Sequence, residues 1–502
     1  MKQSAKNAGL FMIVLLMVFG SVQSGAAEEP MQWHENLTRN NVVHAEDLPD
    51  HLGDDNRLWH IELHGKPFFN IITIEDGKVY CAMSAQNLPE PAKDGGAILC
   101  LDLETGKELW HKVLGERSGP YGLSIIPLIT DDAIYVHLHE TAWRLDLNGE
   151  VQWENNNIKQ SYYSGEHGNH STGLLIGDYW WIPTGFATGS DCDYWINNSI
   201  ERPWHPNILV LEKDTGKIVA QDDSIIGPVQ HGSWASLSSG IVDGQRLVFW
   251  GDASGYVHAY EVPDSFPEGE LTTIKEKWIC DANPKEYRFM EDGTPWPYVA
   301  YMGYAWGPSD KGPNEVIATP VFHDGLLYVA TGRDKAYSRR QGKRRMGNAS
   351  LVCIDPRGSG DITDTNKVWT NNDINRSFST PSIYKDMIFV ATHAGYLNCF
   401  DLKTGEKIWK GDIDTTIWNY FQAVGDDKVF VANERRDFYI FNATREGGQL
   451  YHEELDGMNN PQAGLTDGVV VVGSMRSITA YGGPEYMKTH KAIGPVEKKG
   501  GH

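Results

Sequence analysis

The sequence has few basic residues: 44 Lys and Arg stand against 67 Asp and Glu, which gives a formal charge of −23 over 502 residues. A protein that binds nucleic-acid phosphates needs a large basic face, so this balance excludes nucleic acid as a partner. Charged residues make up only 22% of the chain, whereas it contains 52 glycines and 17 tryptophans. This composition disfavours a coiled coil or a disordered chain and is typical of many short strands joined by glycine turns.

Long hydrophobic runs are absent after the first 27 residues. Lys2 and Lys6 precede an 11-residue apolar core at 10–20, and small residues at 25–27 offer a cleavage site, so we predict a signal peptide at 1–27. The apolar core is too short to span a bilayer, and no cysteine that could carry a lipid stands at the cleavage point. We therefore expect an exported protein, periplasmic or secreted, with no transmembrane span in the mature chain.

A repeat of strand, tight turn and strand organises the remainder. The segment AILCLDLETGKELW at 97–110 recurs as YLNCFDLKTGEKIW at 396–409, with weaker copies beginning at 142, 208 and 350. A second hairpin lies upstream of each copy, so two hairpins make a four-stranded unit. The units start near Phe68, Tyr121, His170, Trp234, Glu315, Phe378, Phe421 and Pro461.

The eighth unit contains only three strands, and a lone strand at 57–64 (RLWHIELH) belongs to no hairpin. The N-terminal strand can complete the last unit and remove the open sheet edges. We therefore predict an all-β, eight-bladed β-propeller of four-stranded antiparallel blades over 57–484. Residues 28–56 are expected to form an N-terminal arm, and residues 485–502 a flexible C-terminal tail.

Tryptophans recur at one position of the repeat, at the same point on the outer strand, where a large flat ring can pack against the neighbouring blade. The glycine of the turn is expected to adopt a positive φ. The tryptophans to which we assign this structural role are Trp59, Trp110, Trp153, Trp278, Trp369 and Trp409.

The repeat resembles the tryptophan-docking motif of pyrroloquinoline quinone (PQQ)-type β-propellers, Ala-x-Asp-x-x-Thr-Gly-Lys-x-x-Trp, with Cys100 and Cys399 in place of the alanine. The resemblance covers about 57–483 and implies the propeller fold. Quinoprotein alcohol dehydrogenases, which use PQQ and Ca²⁺, carry this motif. So does the propeller lipoprotein of the outer-membrane β-barrel assembly machinery, which binds partner proteins and no quinone.

Several features of the dehydrogenases are missing from this sequence. It has no adjacent Cys-Cys pair, no CxxCH for attached haem, and no positions that match the calcium-binding Glu, Asn and Asp. PQQ and Ca²⁺ are therefore cofactors that the resemblance permits but that no ligand motif supports, and we assign no cofactor residues.

Long loops are predicted to gather on one face of the propeller, which we call the looped face. They include second-to-third-strand loops at 84–96, 185–207 and 331–349, and the segment 283–314 between two blades. Long loops on a rigid scaffold are where binding usually occurs, so we place the functional site there. The candidate catalytic residues are His167, His170, His231 and Tyr420. The candidate ligand-binding residues are Trp195, Trp204, Trp234, Glu315, Arg333, Arg376, His393 and Arg435.

Convergent histidines and acids could bind a metal or act as acid and base, and equally they could be hydrogen-bonded loop residues. The spacing His167-x-x-His170 lies on a Gly/Asn loop without a helix, so it assigns no metal. Aromatic residues at 194–204 and 296–306 suit stacking on a sugar or a quinone, or form hydrophobic clusters within the loops.

The six cysteines indicate no disulfide framework. Cys100, Cys353 and Cys399 occupy equivalent positions in different blades, so we expect them to be small core residues. Cys81 and Cys100 lie on neighbouring strands, which leaves a disulfide between them open.

The sequence favours an exported propeller that binds a small molecule, a glycan or an envelope protein on its looped face. One alternative is a quinoprotein-type oxidoreductase. Another is a carbohydrate-active enzyme that uses rim residues such as His167, His231 and Tyr420. One fold hosts several activities, so the repeats alone do not decide among them.

Overall fold

The computed structural model describes residues 37–63, 72–85, 88, 96–115, 126–138, 141–158, 171–184, 206–222, 233–295, 312–332, 337–338, 343–344, 347–414, 422–455, 462–474 and 476–495. They form eight four-stranded antiparallel sheets, in which the first strand of each blade is innermost. The predicted all-β, eight-bladed propeller is confirmed. Each hydrophobic cluster between blades combines side chains from two neighbouring sheets, so the core is a ring of layers between blades.

The strands of the first half follow in chain order. The N-terminal strand is β1 (Arg57–Glu62). Blade 1 contains β2 (Ile72–Glu75), β3 (Lys78–Ser84), β4 (Gly96–Asp102) and β5 (Glu108–Leu114). Blade 2 contains β6 (Leu128–Ile129), β7 (Ile134–Leu138), β8 (Thr141–Leu145) and β9 (Val151–Asn155). Blade 3 contains β10 (Leu174–Ile176), β11 (Tyr179–Pro183), β12 (Ile208–Glu212) and β13 (Ile218–Gln221). Blade 4 contains β14 (Ser238–Val242), β15 (Gln245–Gly251), β16 (Tyr256–Glu261) and, after the short β17 (Thr272–Thr273), β18 (Glu276–Asp281).

The second half repeats this order. Blade 5 contains β19 (Val321–His323), β20 (Leu326–Ala330), the hairpin β21 (Tyr337–Ser338) and β22 (Lys343–Arg344), β23 (Ala349–Ile354), the short β24 (Gly360–Asp361) and β25 (Lys367–Ile374). Blade 6 contains β26 (Ser382–Tyr384), β27 (Met387–Thr392), β28 (Tyr396–Asp401) and β29 (Lys407–Asp412). Blade 7 contains β30 (Ala423–Gly425), β31 (Lys428–Ala432), β32 (Asp437–Asn442) and β33 (Gln449–Glu454). Blade 8 contains β34 (Gln462–Thr466), β35 (Val469–Gly473) and β36 (Ser477–Gly482).

The described helical segments are one α-helical turn, Lys285–Arg288, and one 3₁₀ turn, Tyr486–Lys488. Nowhere in the described ranges is there a helix long and apolar enough to cross a membrane.

The ring closes as predicted. Strand β1 pairs antiparallel with β36 and supplies the fourth strand of blade 8, with Trp59 opposite Ala480. The outer edges of blades 3 and 4 each gain a short parallel strand from the following blade, because β17 pairs with β13 and β24 pairs with β18.

The tryptophans hold consecutive blades together. The indole Nε1 of Trp59 donates to the Leu103 carbonyl at 2.7 Å, in the third-to-fourth-strand turn of blade 1. Gly106 in that turn has φ +68°, and a Cβ there would lie 2.5 Å from the indole ring. The other indole donors and their carbonyl acceptors in the next blade are Trp110 to Leu147, Trp153 to Lys213, Trp278 to Pro356 and Trp409 to Thr444. Trp369 packs under Gly405. These contacts support the structural role proposed for the six tryptophans.

Blades 3 and 7 have no tryptophan at this position of the outer strand. In blade 3 the residue is Ala220, and Phe266 from blade 4 instead packs on Trp181 and Tyr179. In blade 7 the residue is Tyr451, whose hydroxyl donates to the Leu52 carbonyl at 2.7 Å. Blade 8 is built from both ends of the chain and has no continuous third-to-fourth-strand turn, so the arm supplies the acceptor.

The N-terminal arm crosses the inner edges of four blades. The Leu37 carbonyl accepts from the Ser239 N–H and the Thr38 carbonyl from the Phe322 N–H, in blades 4 and 5. The Asn40 side chain pairs with both backbone groups of Ile383 in blade 6. Val42 bridges β30 of blade 7 in parallel.

The side chain of Arg39 is fully buried within the ring and donates to the carbonyls of Leu237 and Gly173 in blades 4 and 3. At the other end of the chain, the Ile493 N–H donates to the Arg57 carbonyl on the outer edge of blade 8. Both chain ends therefore contact the propeller. The boundaries 1–27, 28–56, 57–484 and 485–502 stay predictions.

The open question about a Cys81–Cys100 disulfide is answered by the sheet register. Cys81 lies opposite Leu99 and Tyr80 opposite Cys100, so the two thiols point to opposite faces of one sheet. Neither forms a disulfide, and both are buried, in the clusters between blades 8 and 1 and between blades 1 and 2 respectively. Cys100, Cys353 and Cys399 are core residues opposite Trp110, Trp369 and Trp409, as expected.

Candidate functional site

A belt of hydroxyl groups joins the inner strands just below the looped face. Each hydroxyl accepts a backbone N–H from the preceding blade: Ile126 donates to Thr172 (3.3 Å), Thr172 to Ser236 (2.9 Å), Ser236 to Thr319 (3.2 Å) and Thr319 to Thr380 (3.1 Å). Sequence reasoning missed this hydroxyl belt because its members lie far apart in the chain and Ser and Thr are common. The belt thus joins the starts of the inner strands of blades 2 to 6.

An apolar platform lies above the belt. Trp234, Ile317 and Phe378 each precede a belt residue by two positions, and they pack together from blades 4, 5 and 6. Trp234 was a predicted binding residue. Ile317 and Phe378 were not, because an apolar residue at the start of a strand looks like an ordinary core position. The platform gives three aromatic or aliphatic faces at one end of the axis.

Two charged candidates, Glu315 and Arg376, lie two residues further from the belt on blades 5 and 6. Glu315 is 0% exposed and Arg376 only 3%. The Glu315 backbone exchanges two hydrogen bonds with Gly332, and a Cβ on Gly332 would collide with the Ser377 backbone. These contacts bring the two predicted charges to neighbouring segments, as a buried carboxylate and a buried guanidinium.

His393 completes the group. Its ring stands edge-on to Phe378 with centroids 4.3 Å apart, and its backbone N–H donates to the Arg376 carbonyl at 2.9 Å. Burial, together with the positive charge of Arg376, lowers the pKa of His393 to about 3. The imidazole is therefore neutral at physiological pH, with one nitrogen able to accept and the other to donate. We call Trp234, Glu315, Arg376, Phe378 and His393 the axial cluster.

Asn314, next to Glu315, is a polar residue that the sequence did not single out. Its backbone is held by the Asn283 side chain, which donates to the Asn314 carbonyl and accepts its N–H. The Asn314 side chain is 0% exposed, and among the described residues neither its amide nitrogen nor its amide oxygen has a hydrogen-bond partner. An unsatisfied buried polar group costs about 1–3 kcal/mol, so this amide is suited to receive a ligand or water.

Arg435 stands apart from the axial cluster. Its side chain is 52% exposed, and its Nη1 lies 3.9 Å from the Asp414 Oδ2. The remaining candidates lie outside the described residues: His167, His170, His231, Tyr420, Trp195, Trp204 and Arg333.

The described residues do not form the calcium site that accompanies the quinone in the dehydrogenases. Within the described part of the chain, no group of three or more His, Cys, Asp or Glu side chains could hold a metal ion. The axial cluster supplies one carboxylate, Glu315, where Ca²⁺ takes six to eight oxygen ligands.

The fold and the buried group at its axis define an eight-bladed β-propeller with a candidate site on its looped face. The family model described as outer membrane protein assembly factor BamB matches residues 39–172 and 313–411. BamB of Shewanella oneidensis is 32% identical over 86 residues, which are 16% of this chain and 22% of that protein. Over these segments the chain is similar to the PQQ-like repeat β-propellers.

Two solved structures share the fold. BamB from Moraxella catarrhalis superposes with a TM-score of 0.51 and 14% identity, over 85% of this chain and 99% of that one. The computationally designed protein Ika8 superposes with a TM-score of 0.52 and 9% identity, over the same shares of both chains. At these identities the likeness concerns the fold alone. The match to the Shewanella protein spans about a fifth of that protein's length.

Proposed function

We propose that the protein is an exported, periplasmic binding propeller that holds a small, flat, negatively charged ligand on the axial cluster of its looped face. The observation that supports this most is the buried group shared by blades 4, 5 and 6, in which Trp234 packs with Phe378 and the His393 ring stands edge-on to Phe378. Glu315 and Arg376 are buried on the segments beside it. A buried guanidinium binds a ligand carboxylate, and aromatic faces receive a flat ring. Neutral His393 and Glu315 can fix the ligand's orientation by hydrogen bonds.

The charge of Arg376 favours an anionic ligand over a neutral sugar. A neutral glycan needs hydroxyl partners and aromatic faces, and it has no charge to pair with a guanidinium. A flat carboxylate can accept from Arg376 and pack on the platform formed with Trp234 and Phe378 at the same time.

A second candidate function is binding of a protein partner in the cell envelope. It is favoured by the match of residues 39–172 and 313–411 to a family named for outer-membrane protein assembly. The two functions use different parts of the looped face, because the axial cluster is buried and a protein partner would contact the exposed rim where Arg435 lies.

The first experiment uses the mature protein after export. Its metal content and absorption spectrum are recorded, and its thermal unfolding is followed with and without PQQ, a flat tricarboxylate, and with and without Ca²⁺. Ligand at a hundred times its Kd should stabilise the folded state by about 2.7 kcal/mol. Glucose serves as a neutral probe for comparison.

Arg376→Gln should abolish the shift produced by PQQ, whereas Arg435→Gln, a change of the same kind on the same face, should retain it. A shift that survives Arg376→Gln, or a shift with glucose and none with PQQ, refutes the axial-ligand function. A shift that needs Ca²⁺ together with a retained quinone band would instead support the oxidoreductase alternative.

A further inference from the structure

Blade 4 contains a row of three ionisable groups, two of them buried, that runs from its outer strand to its looped-face turn. The His258 Nδ1 lies 2.6 Å from the Glu276 Oε1, and its Nε2 lies 3.2 Å from the Asp252 Oδ2. The side chain of His258 is 4% exposed, that of Asp252 0% and that of Glu276 35%. The imidazole ring is also held between Trp250 and Tyr260.

The charge state of this row follows from its geometry. Burial by itself would lower the pKa of His258, but the hydrogen bonds and negative charges of Asp252 and Glu276 outweigh it and raise the pKa to about 9. The same contact holds the pKa of Asp252 below its usual value despite burial. At neutral pH the row is therefore an imidazolium between two carboxylates, with both ring N–H groups donating.

Asp252 forms the turn between β15 and β16. Its Oδ1 accepts the N–H groups of Ser254 (2.9 Å) and Tyr256 (2.8 Å), and its Oδ2 accepts the Ser254 hydroxyl (2.7 Å). These bonds fix the turn as a compact loop whose carboxylate points inward to His258. The position of the turn therefore depends on the His258–Asp252 contact.

This turn contacts the chain on both sides of the axial cluster. The Asp252 carbonyl accepts the Val316 N–H at 3.0 Å, and Val316 directly follows Glu315. The Ala253 N–H donates to the Ser233 hydroxyl at 3.3 Å, and Ser233 directly precedes Trp234. Gly251 gives room for this approach, since a Cβ there would overlap the Val316 side chain.

We propose that His258 is a positioning residue: through Asp252 it sets the places of Trp234 and Glu315 in the axial cluster. The assignment of the cluster as a ligand site rests on the proposed function, but the positioning itself does not. Loss of the imidazolium leaves the Asp252 carboxylate buried without its charged partner. The turn must then move towards solvent, and its hydrogen bonds to Val316 and Ser233 move with it.

The test observes Trp234 directly. The mature protein is labelled with 5-fluorotryptophan, and its Trp234 signal is assigned by comparison with Trp234→Phe. His258→Gln, which keeps one donor but no charge, should shift or split the Trp234 signal. Hydrogen exchange of the Val316 and Ala253 amides should become at least ten times faster than in the wild type.

The matched control is His452→Gln in blade 7. His452 also bonds a carboxylate, with Nε2 2.9 Å from the Asp437 Oδ1, but it is 42% exposed and lies on the outer strand. His452→Gln should leave the Trp234 signal and the hydrogen exchange of the Val316 amide unchanged. If His258→Gln does not fold, Glu276→Gln removes the half-exposed partner and should give a smaller change in the same direction.

A Trp234 signal and a Val316 amide that are unchanged in the folded His258 or Glu276 variant overturn the proposal. The two hypotheses fail separately. If the Trp234 signal moves but PQQ never binds, the positioning stands and the proposed function fails. If Arg376→Gln abolishes PQQ binding while His258→Gln leaves the Trp234 signal unchanged, the proposed function stands and the positioning fails.

Discussion

Ring closure can be measured with two glycines of blade 1 that differ in one respect. Gly77 and Gly106 both lie in turns between strands, with φ +67° and +68°. A Cβ at Gly77 would meet nothing within 4 Å, whereas a Cβ at Gly106 would lie 2.5 Å from the ring of Trp59. Alanine at either position has the same backbone strain, so their difference isolates the contact with Trp59 on the closing strand.

The expected magnitude follows from this geometry. An alanine at this φ costs about 1–2 kcal/mol, which is the whole effect expected for Gly77→Ala. Trp59 is 4% exposed, and burial of an aromatic side chain of about 200 Å² contributes about 5 kcal/mol at 25 cal/mol/Å². Displacement of half the ring and loss of its bond to Leu103 give Gly106→Ala a further cost of about 2–4 kcal/mol.

The assay is urea unfolding of both variants, followed by circular dichroism, in the wild-type and Trp59→Ala backgrounds. With Trp59 present, Gly106→Ala should lower the unfolding midpoint well beyond Gly77→Ala. With Trp59 removed, the two variants should have equal unfolding midpoints, because the contact between residue 106 and the Trp59 ring is then absent. Equal midpoints for both variants in the wild-type background would refute the assignment of the Trp59–Gly106 contact as a closing element.

Three further predictions follow from buried polar groups. Because the pKa of His258 is raised on folding, its protonation stabilises the fold fully below the unfolded pKa of 6.5, and this stabilisation is lost as pH rises through about 9. The free energy of unfolding should therefore fall by about 3 kcal/mol over that window. Urea unfolding from pH 6 to 10 should show this fall in the wild type and a flatter profile in His258→Gln, and equal profiles would contradict the prediction. Cys81 and Cys100 should resist a thiol reagent in the native protein and react fully once it is unfolded without reductant; a pair that stays unreactive then would mean a disulfide. Asn40→Ala should lower the free energy of unfolding by about 1–3 kcal/mol, because it removes the side chain that pairs with both backbone groups of Ile383. Asn157→Ala, at an exposed position, is the control. An equal effect of the two substitutions would argue that the N-terminal arm does not stabilise blade 6.

Much of the fold was predictable because its signals are local and repeated. The Thr-Gly turn followed by Trp indicates a strand pair by itself. Its recurrence at 97–110 and 396–409, each time after a second hairpin, predicted the four-stranded unit. The count of eight blades and the closing role of β1 followed from one missing strand at one end and one spare strand at the other. In the structure the two copies also share their register, since Cys100 and Cys399 lie opposite Trp110 and Trp409.

The candidate site was only partly predictable. Loop length pointed to the looped face, and Trp234, Glu315, Arg376 and His393 were chosen as polar or aromatic residues on it. Nothing local indicated that Arg435 stays exposed while Arg376 is buried, because burial depends on how neighbouring blades cover each loop. Ile317 and Asn314 carried no signal, since an apolar residue and an amide beside a strand are ordinary.

The sequence by itself determined the class of fold, the number of blades and the docking tryptophans, because each of these is fixed by contacts within one repeat or between adjacent repeats. Only the tertiary structure decided what meets at the axis: the arm on the inner edges of four blades, the hydroxyl belt, and the row of Asp252, His258 and Glu276 beside the axial cluster. These groupings join residues from different blades, and their partners are set by the curvature of the closed ring. Closure, which no single repeat encodes, is the physical reason for the difference.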